Sequence, residues 1–151
     1  RFYDVNSGAI LVDGHNIKDF NRSELREIIM KVIYQTYILD KTKNNYDVDD
    51  LIKEQLEVEN DYVRDCINGI IKNQKEINKL ANKHMNNWTI DRLNKVDQAI
   101  ISLGIYELMY TDTPSIVAIN EAIELSKKYS EEAVTKMING VLDKIYHEEE
   151  K

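Results

Sequence analysis

From residue 21 onward, apolar side chains recur at three- and four-residue steps, the period of helices that bury one face. Leu25, Ile28, Ile29, Val32, Ile33 and Thr36 form the first stripe, and Asn21 with Glu24 has the spacing of a capping box at its start. Residues 48–57 predict a short acidic helix carrying Leu51, Ile52 and Leu56. Asn60 can cap a long helix reaching Met85, with Val63, Cys66, Ile67, Ile70, Ile71, Gln74, Ile77 and Ala81 inward. Gly69 lies inside that helix and weakens it by roughly 1 kcal/mol, which predicts a closely packed neighbour. Trp88, Ile90 and Leu93 lead into residues 96–110, where Ala99, Ile100, Leu103 and Tyr106 face in. Pro114 then suits a first helical turn, because its φ is preset and its missing N–H has no partner there. Val117, Ile119, Ala122, Ile123, Leu125 and Tyr129 share the next face, and Ala133, Met137, Ile138, Val141, Leu142 and Ile145 the last. Ser130, Glu131 and Glu132 mark a helix end followed by an acid-biased start, so these two helices form a hairpin.

Residues 1–20, RFYDVNSGAILVDGHNIKDF, break this pattern. Asn6-Ser7-Gly8 and Asp13-Gly14 are turn signals around a short apolar run, a strand–turn–strand reading. The wording resembles a segment that follows the phosphate-binding loop in ABC-transporter ATPases. No G-x-x-x-x-G-K-[ST] loop or metal-binding acidic strand accompanies it, and those parts hold and cleave ATP. The chain therefore divides into a leader, 1–20, read as a fused appendage of foreign origin, and a helical domain, 21–151. A natural extension is the alternative for the leader.

Composition sharpens the fold class to all-α. The 151 residues include one proline and five glycines, 42% are hydrophobic and 31% charged. About six or seven helices in two antiparallel sub-bundles account for the pattern, the first before Met85 and the second from Trp88. A net charge of −7 argues against coating nucleic acid by bulk electrostatics, so any such contact must be local or shared with a partner. The single cysteine, Cys66, excludes an internal disulfide and fits a reducing compartment. No apolar run approaches the ~20 residues of a membrane span, so a cytoplasmic protein is expected.

No catalytic set emerges. His15, His84 and His147 lie far apart, none at metal-ligand spacing, so neither metal nor cofactor is expected. Cys66 falls on an apolar face with nothing nearby to activate it. Glu121 and Glu124 stand at i and i+3, a spacing that more often serves solvation or capping than acid–base work. Tyr34, Tyr37, Tyr106, Tyr110 and Tyr129 could stack bases, although core or rim packing is commoner. Asn120, Asn139 and Gly140 interrupt apolar faces of the hairpin. They read as inter-helix hydrogen bonders and a close-packing glycine. Arg22, Arg26 and Lys31 put positive charge at the start of the first helix, lying off its apolar stripe.

The string VAINEAIELSKKY, followed by TKMINGVLDK, is similar to the C-terminal signature of the NusB family of transcription antitermination factors. WTIDRLNKVDQAIISLGIYEL also resembles that family, and the resemblance spans residues 22–146. It implies a NusB-like helical bundle whose first helix and last hairpin bind boxA RNA. By that match Arg22, Arg26, Lys31, Lys136 and Asn139 would form the RNA side. It also implies a protein partner, NusE, the small-subunit ribosomal protein in a second role, within an RNA polymerase antitermination complex. Asp97 and Glu107, on the helix over 96–110, are the expected partner contacts. The first helix has fewer arginines than many members, and Met137 stands where an aromatic residue is common.

The leading expectation is thus a non-enzymatic factor that holds nascent boxA RNA jointly with NusE and promotes rRNA transcription. No membrane or small-molecule substrate enters that role. Two alternatives remain at this level. One is the RNA-binding NusB-like module of an rRNA cytosine-5 methyltransferase, against which the absence of a methyl-donor domain counts. The other is a helical protein-interaction module without an RNA role.

Overall fold

The computed structural model describes residues 2–4, 9–12, 15–16 and 21–149, with side chains from 21 onward. In the leader, backbone strands β1 (Phe2–Asp4), β2 (Ala9–Val12) and β3 (His15–Asn16) pair antiparallel in that order, with Tyr3 opposite Ile10 and Val12 opposite His15. How the leader's side chains meet the domain lies outside the described residues.

Seven helices follow: α1 (Arg22–Lys41), α2 (Val48–Gln55), α3 (Asp61–Lys72), α4 (Gln74–His84), α5 (Lys95–Tyr110), α6 (Ser115–Tyr129) and α7 (Glu132–Glu148), with one 3-10 turn at Ile90–Arg92. No strand falls among the described residues from 21 to 149, and no described helix is long and apolar enough to cross a membrane. The capping box is present: the Glu24 amide donates to Asn21 Oδ1 at 2.8 Å, and the Asn21 amide donates to Glu24 Oε1 at 3.5 Å. The helix expected from Asn60 to Met85 is two helices. Asn73 ends α3, its side-chain amide donating to the Gly69 carbonyl at 2.8 Å, and α4 restarts immediately. Both halves bury residues toward the same core, so the apolar period runs on through the break.

Helices α1–α4 form one sub-bundle and α6–α7 complete the other, with α5 packed against both. This sharing explains why α5 is buried nearly all round: Ile101, Ser102, Gly104 and Ile105 are covered as well as Ala99, Ile100 and Leu103. A helix apolar on every side belongs inside. Gly104 lets α6 and α7 approach, since an added Cβ would meet Leu142 Cδ1 at 3.0 Å and Ala122 Cβ at 3.2 Å. Gly69 has the close neighbour expected of it, because a Cβ there would collide with the Tyr106 hydroxyl. Gly140 does not: it is exposed with open space around it, so the close-packing role assigned to it is corrected. The buried face of α6 also differs. Ala118, Ala122, Leu125 and Ser126 point inward, while Val117 and Tyr129 stand exposed.

Candidate nucleic-acid interface

Arginine at the start of α1 occurs in two environments one turn apart. Arg22 is exposed and lays its guanidinium over the Tyr62 ring, 3.8 Å from the centroid. Arg26 is 4% exposed, although the sequence placed it off the apolar stripe. Its Nε and Nη2 donate to the two carboxylate oxygens of Glu107 at 2.5 and 2.9 Å, and Nη1 donates to Glu121 at 3.0 Å. Tyr62 and Thr113 hydroxyls also donate to Glu107, at 2.8 and 3.2 Å, and Ser23 donates to Glu121. One buried junction therefore ties α1, α3, α5 and α6 together with the loop before α6. Burial weakens the Arg26 charge, yet the hydrogen bond and charge of Glu107 outweigh it and raise the arginine's pKa further. Burial, then the Glu107 charge, raises the Tyr62 phenol as well.

The burial corrects three expected surface contacts. Arg26 and Glu107, the latter 1% exposed, satisfy each other and offer no free charge. Asp97 is 3% exposed; its amide donates to Asn94 Oδ1 at 2.8 Å, and its carboxylate accepts from Ser130 at the α6–α7 junction. Burial pushes that carboxyl above its ordinary value, and the Ser130 hydroxyl partly offsets the rise. Asp97 thus braces the final hairpin from within. Cys66 is buried and pushed up to about 12, first by burial, which makes it a packed thiol.

Lys31, Lys136, Asn139 and Asn120 are exposed. Helix α7 packs on α4, α5 and α6, whereas α1 packs on α2, α3 and α5, so the RNA-side residues expected on α1 and α7 are separated, with α6 reaching α1 through Lys128 and Glu121. The bridging residues, Lys127 and Lys128, were missed from the sequence. Lys128 Nζ lies 2.5 Å from Glu27 on α1, and the Lys31 charge acts on the same carboxylate. Lys127 and Lys136 line one hollow of ≈ 440 Å³ at the junction of α6 and α7. The buried Thr135 Oγ1 in that hollow has no hydrogen-bond partner among the described residues. A lysine path thus runs from Lys31 through Lys128 and Lys127 to Lys136. Its visible signal was the Lys127-Lys128 pair closing α6. Lys127 and Lys136 are paired only at the surface, with Glu124 at 3.4 Å and Glu132 at 3.6 Å. Such exposed pairs are worth about 0.2–1 kcal/mol, so an arriving phosphate can displace them.

Among the described residues no group of three or more His, Cys, Asp or Glu side chains could hold a metal ion. A path of exposed cations across three helices on an acidic body can position a phosphate backbone locally.

Residues 23–147 match the profile of the NusB family. The chain is 38% identical over 130 residues to the transcription antitermination protein NusB of Listeria innocua serovar 6a, a match covering 85% of this chain and 98% of that protein. The fold is similar to T. maritima NusB, with a TM-score of 0.75 and 31% identity over 85% of this chain and 92% of that one. It is also similar to a structure of the antitermination factors NusB and NusE in complex with double-stranded RNA. There the TM-score is 0.68 and the identity 28%, over 83% of this chain and 96% of that one.

Proposed function

Because this chain belongs to the NusB family, we propose that it is a transcription antitermination factor that binds boxA RNA together with NusE. The observation that carries the reading is the family match across residues 23–147, which runs through all seven helices. The work is assembly: RNA and a basic ribosomal protein are held near RNA polymerase so that rRNA transcription continues. An acidic chain of net charge −7 suits a basic protein mate better than it suits bare RNA, which favours joint binding. The place of this work is the cytoplasm.

For the RNA side, Arg22, Lys31, Lys136 and Asn139 remain the proposed contacts, with Lys127 and Lys128 added between them. Arg26 serves as a positioning residue that fixes the N-terminal turn of α1. The lone Thr135 hydroxyl supports a phosphate in the hollow between Lys127 and Lys136, since an unpaired buried donor costs about 1–3 kcal/mol that a ligand oxygen would recover. Residues 1–20 are proposed as an appendage outside this role, and removing them should leave RNA affinity unchanged. The deciding experiment is titration of boxA RNA with the chain, with and without NusE. The reading requires binding with NusE, tighter than without it, and its absence in both conditions would refute it.

A further inference from the structure

A groove of ≈ 850 Å³ opens beside the start of α1, between α3 and the loop joining α5 to α6. Tyr110, 41% exposed, stands on its wall and stacks on Tyr106, with ring centroids 5.5 Å apart and planes 12° from parallel. Tyr106 is itself pinned, because its hydroxyl sits against Gly69 and donates to the Asp65 carbonyl at 3.5 Å. Tyr110 is therefore an exposed aromatic ring already held in place by a second ring. Ordering it against a ligand loses little further freedom.

We propose that this groove takes one unstacked nucleobase of the bound RNA, with Tyr110 as its stacking platform; the proposal rests on the RNA-binding reading above. Stacking on aromatic side chains is how single-stranded RNA bases are commonly held, and every base offers a π-face for it. The charges around the groove divide the ligand in two. Arg22 at the rim is the exposed cation and can hold a phosphate. Asp65 and Asp112 line the groove beyond it and repel phosphate, while their carboxylates can accept from base amino groups. The backbone then stays at the rim and a base turns inward. Arg22 also joins this groove to the N-terminal turn of α1, from which the lysine path leaves.

The test measures boxA RNA affinity with NusE over a salt series for the parent chain and for Tyr110→Ala, Tyr110→Phe and Arg22→Ala. NusE binding without RNA and circular dichroism are recorded for each. Tyr110→Ala should weaken RNA binding about tenfold with an unchanged salt slope, and Tyr110→Phe should restore it, as stacking requires. Arg22→Ala should lower the salt slope by about one, as loss of a phosphate contact requires. If the parent binds and folded Tyr110→Ala binds equally well, the base pocket is refuted and the RNA-binding reading stands. If Tyr110→Ala loses NusE binding without RNA, the groove docks protein and the proposal is overturned. If the parent binds no RNA with NusE, both the pocket and the reading beneath it fail.

Discussion

The molecule keeps positive charge in two regions of opposite character. At the start of α1, Arg26 is enclosed with Glu107 and Glu121, and each of its three nitrogens donates to one of them. At the junction of α6 and α7, Lys127, Lys128 and Lys136 carry side chains 62–77% exposed, each beside a single carboxylate. Arginine suits the first setting because its planar guanidinium pairs bidentately with a buried carboxylate, and lysine suits the second as a hydrated, adjustable point charge. A charge that holds helices together cannot also greet a ligand. Arg26 therefore serves architecture, and the exposed lysine junction is the surface proposed for recognition.

The largest expected effect tests the architectural half. Arg26→Ala strands Glu107 in the interior and should lower stability by about 3–5 kcal/mol, read as a loss in thermal unfolding by circular dichroism. Arg22→Ala, one turn earlier on an exposed site, should stay within about 0.5 kcal/mol. Similar losses at both positions would erase the distinction between the buried and the exposed arginine. The recognition half is tested by reversing Lys127, Lys128 and Lys136 to glutamate together. RNA affinity with NusE should fall by about tenfold or more as attractions become repulsions, and helicity should persist. A collapse of the fold would show that the lysines are structural after all.

The smallest effect lies where the regions meet. Burial alone would raise the Glu27 carboxyl, but its bonds to Lys128 and Tyr129 prevail and hold it below the ordinary 4.5. A folded-state pKa below the unfolded value stabilises the protein above pH 4.5, and that stability is lost as pH falls through the lower folded value. Lys128→Ala should remove part of this acid-side loss, by about 0.2–1 kcal/mol in denaturant melts between pH 3 and 7. An unchanged acid limb would mean that Lys128 does not hold Glu27.

What the sequence disclosed follows from how far each interaction reaches. The capping box needs residues three apart, and the close contact at Gly69 announces itself by an unfavourable residue inside a helix, so both were legible. The Arg26 junction joins residues 81 and 95 positions apart, and nothing local at Arg26 distinguishes it from Arg22. The break at Asn73 was hidden because α3 and α4 bury the same face. The rotation of α6 was hidden for a different reason: its inward Ala118 is small and Ser126 polar, and larger Val117 and Tyr129 outweighed them in the apolar pattern. Of the proposed site, Arg22, Lys31 and Lys136 were named from the family resemblance, but Lys127 and Lys128 were not, because their part depends on α6 lying between α1 and α7.

The most direct measurement is the equilibrium affinity of boxA RNA for three mixtures at one fixed salt concentration: the chain alone, the chain with NusE, and the lysine-reversed chain with NusE. Binding should be weak for the chain alone, tighter with NusE, and reduced at least about tenfold on reversal. Equal affinity of the parent and lysine-reversed chains in the presence of NusE would contradict this expectation.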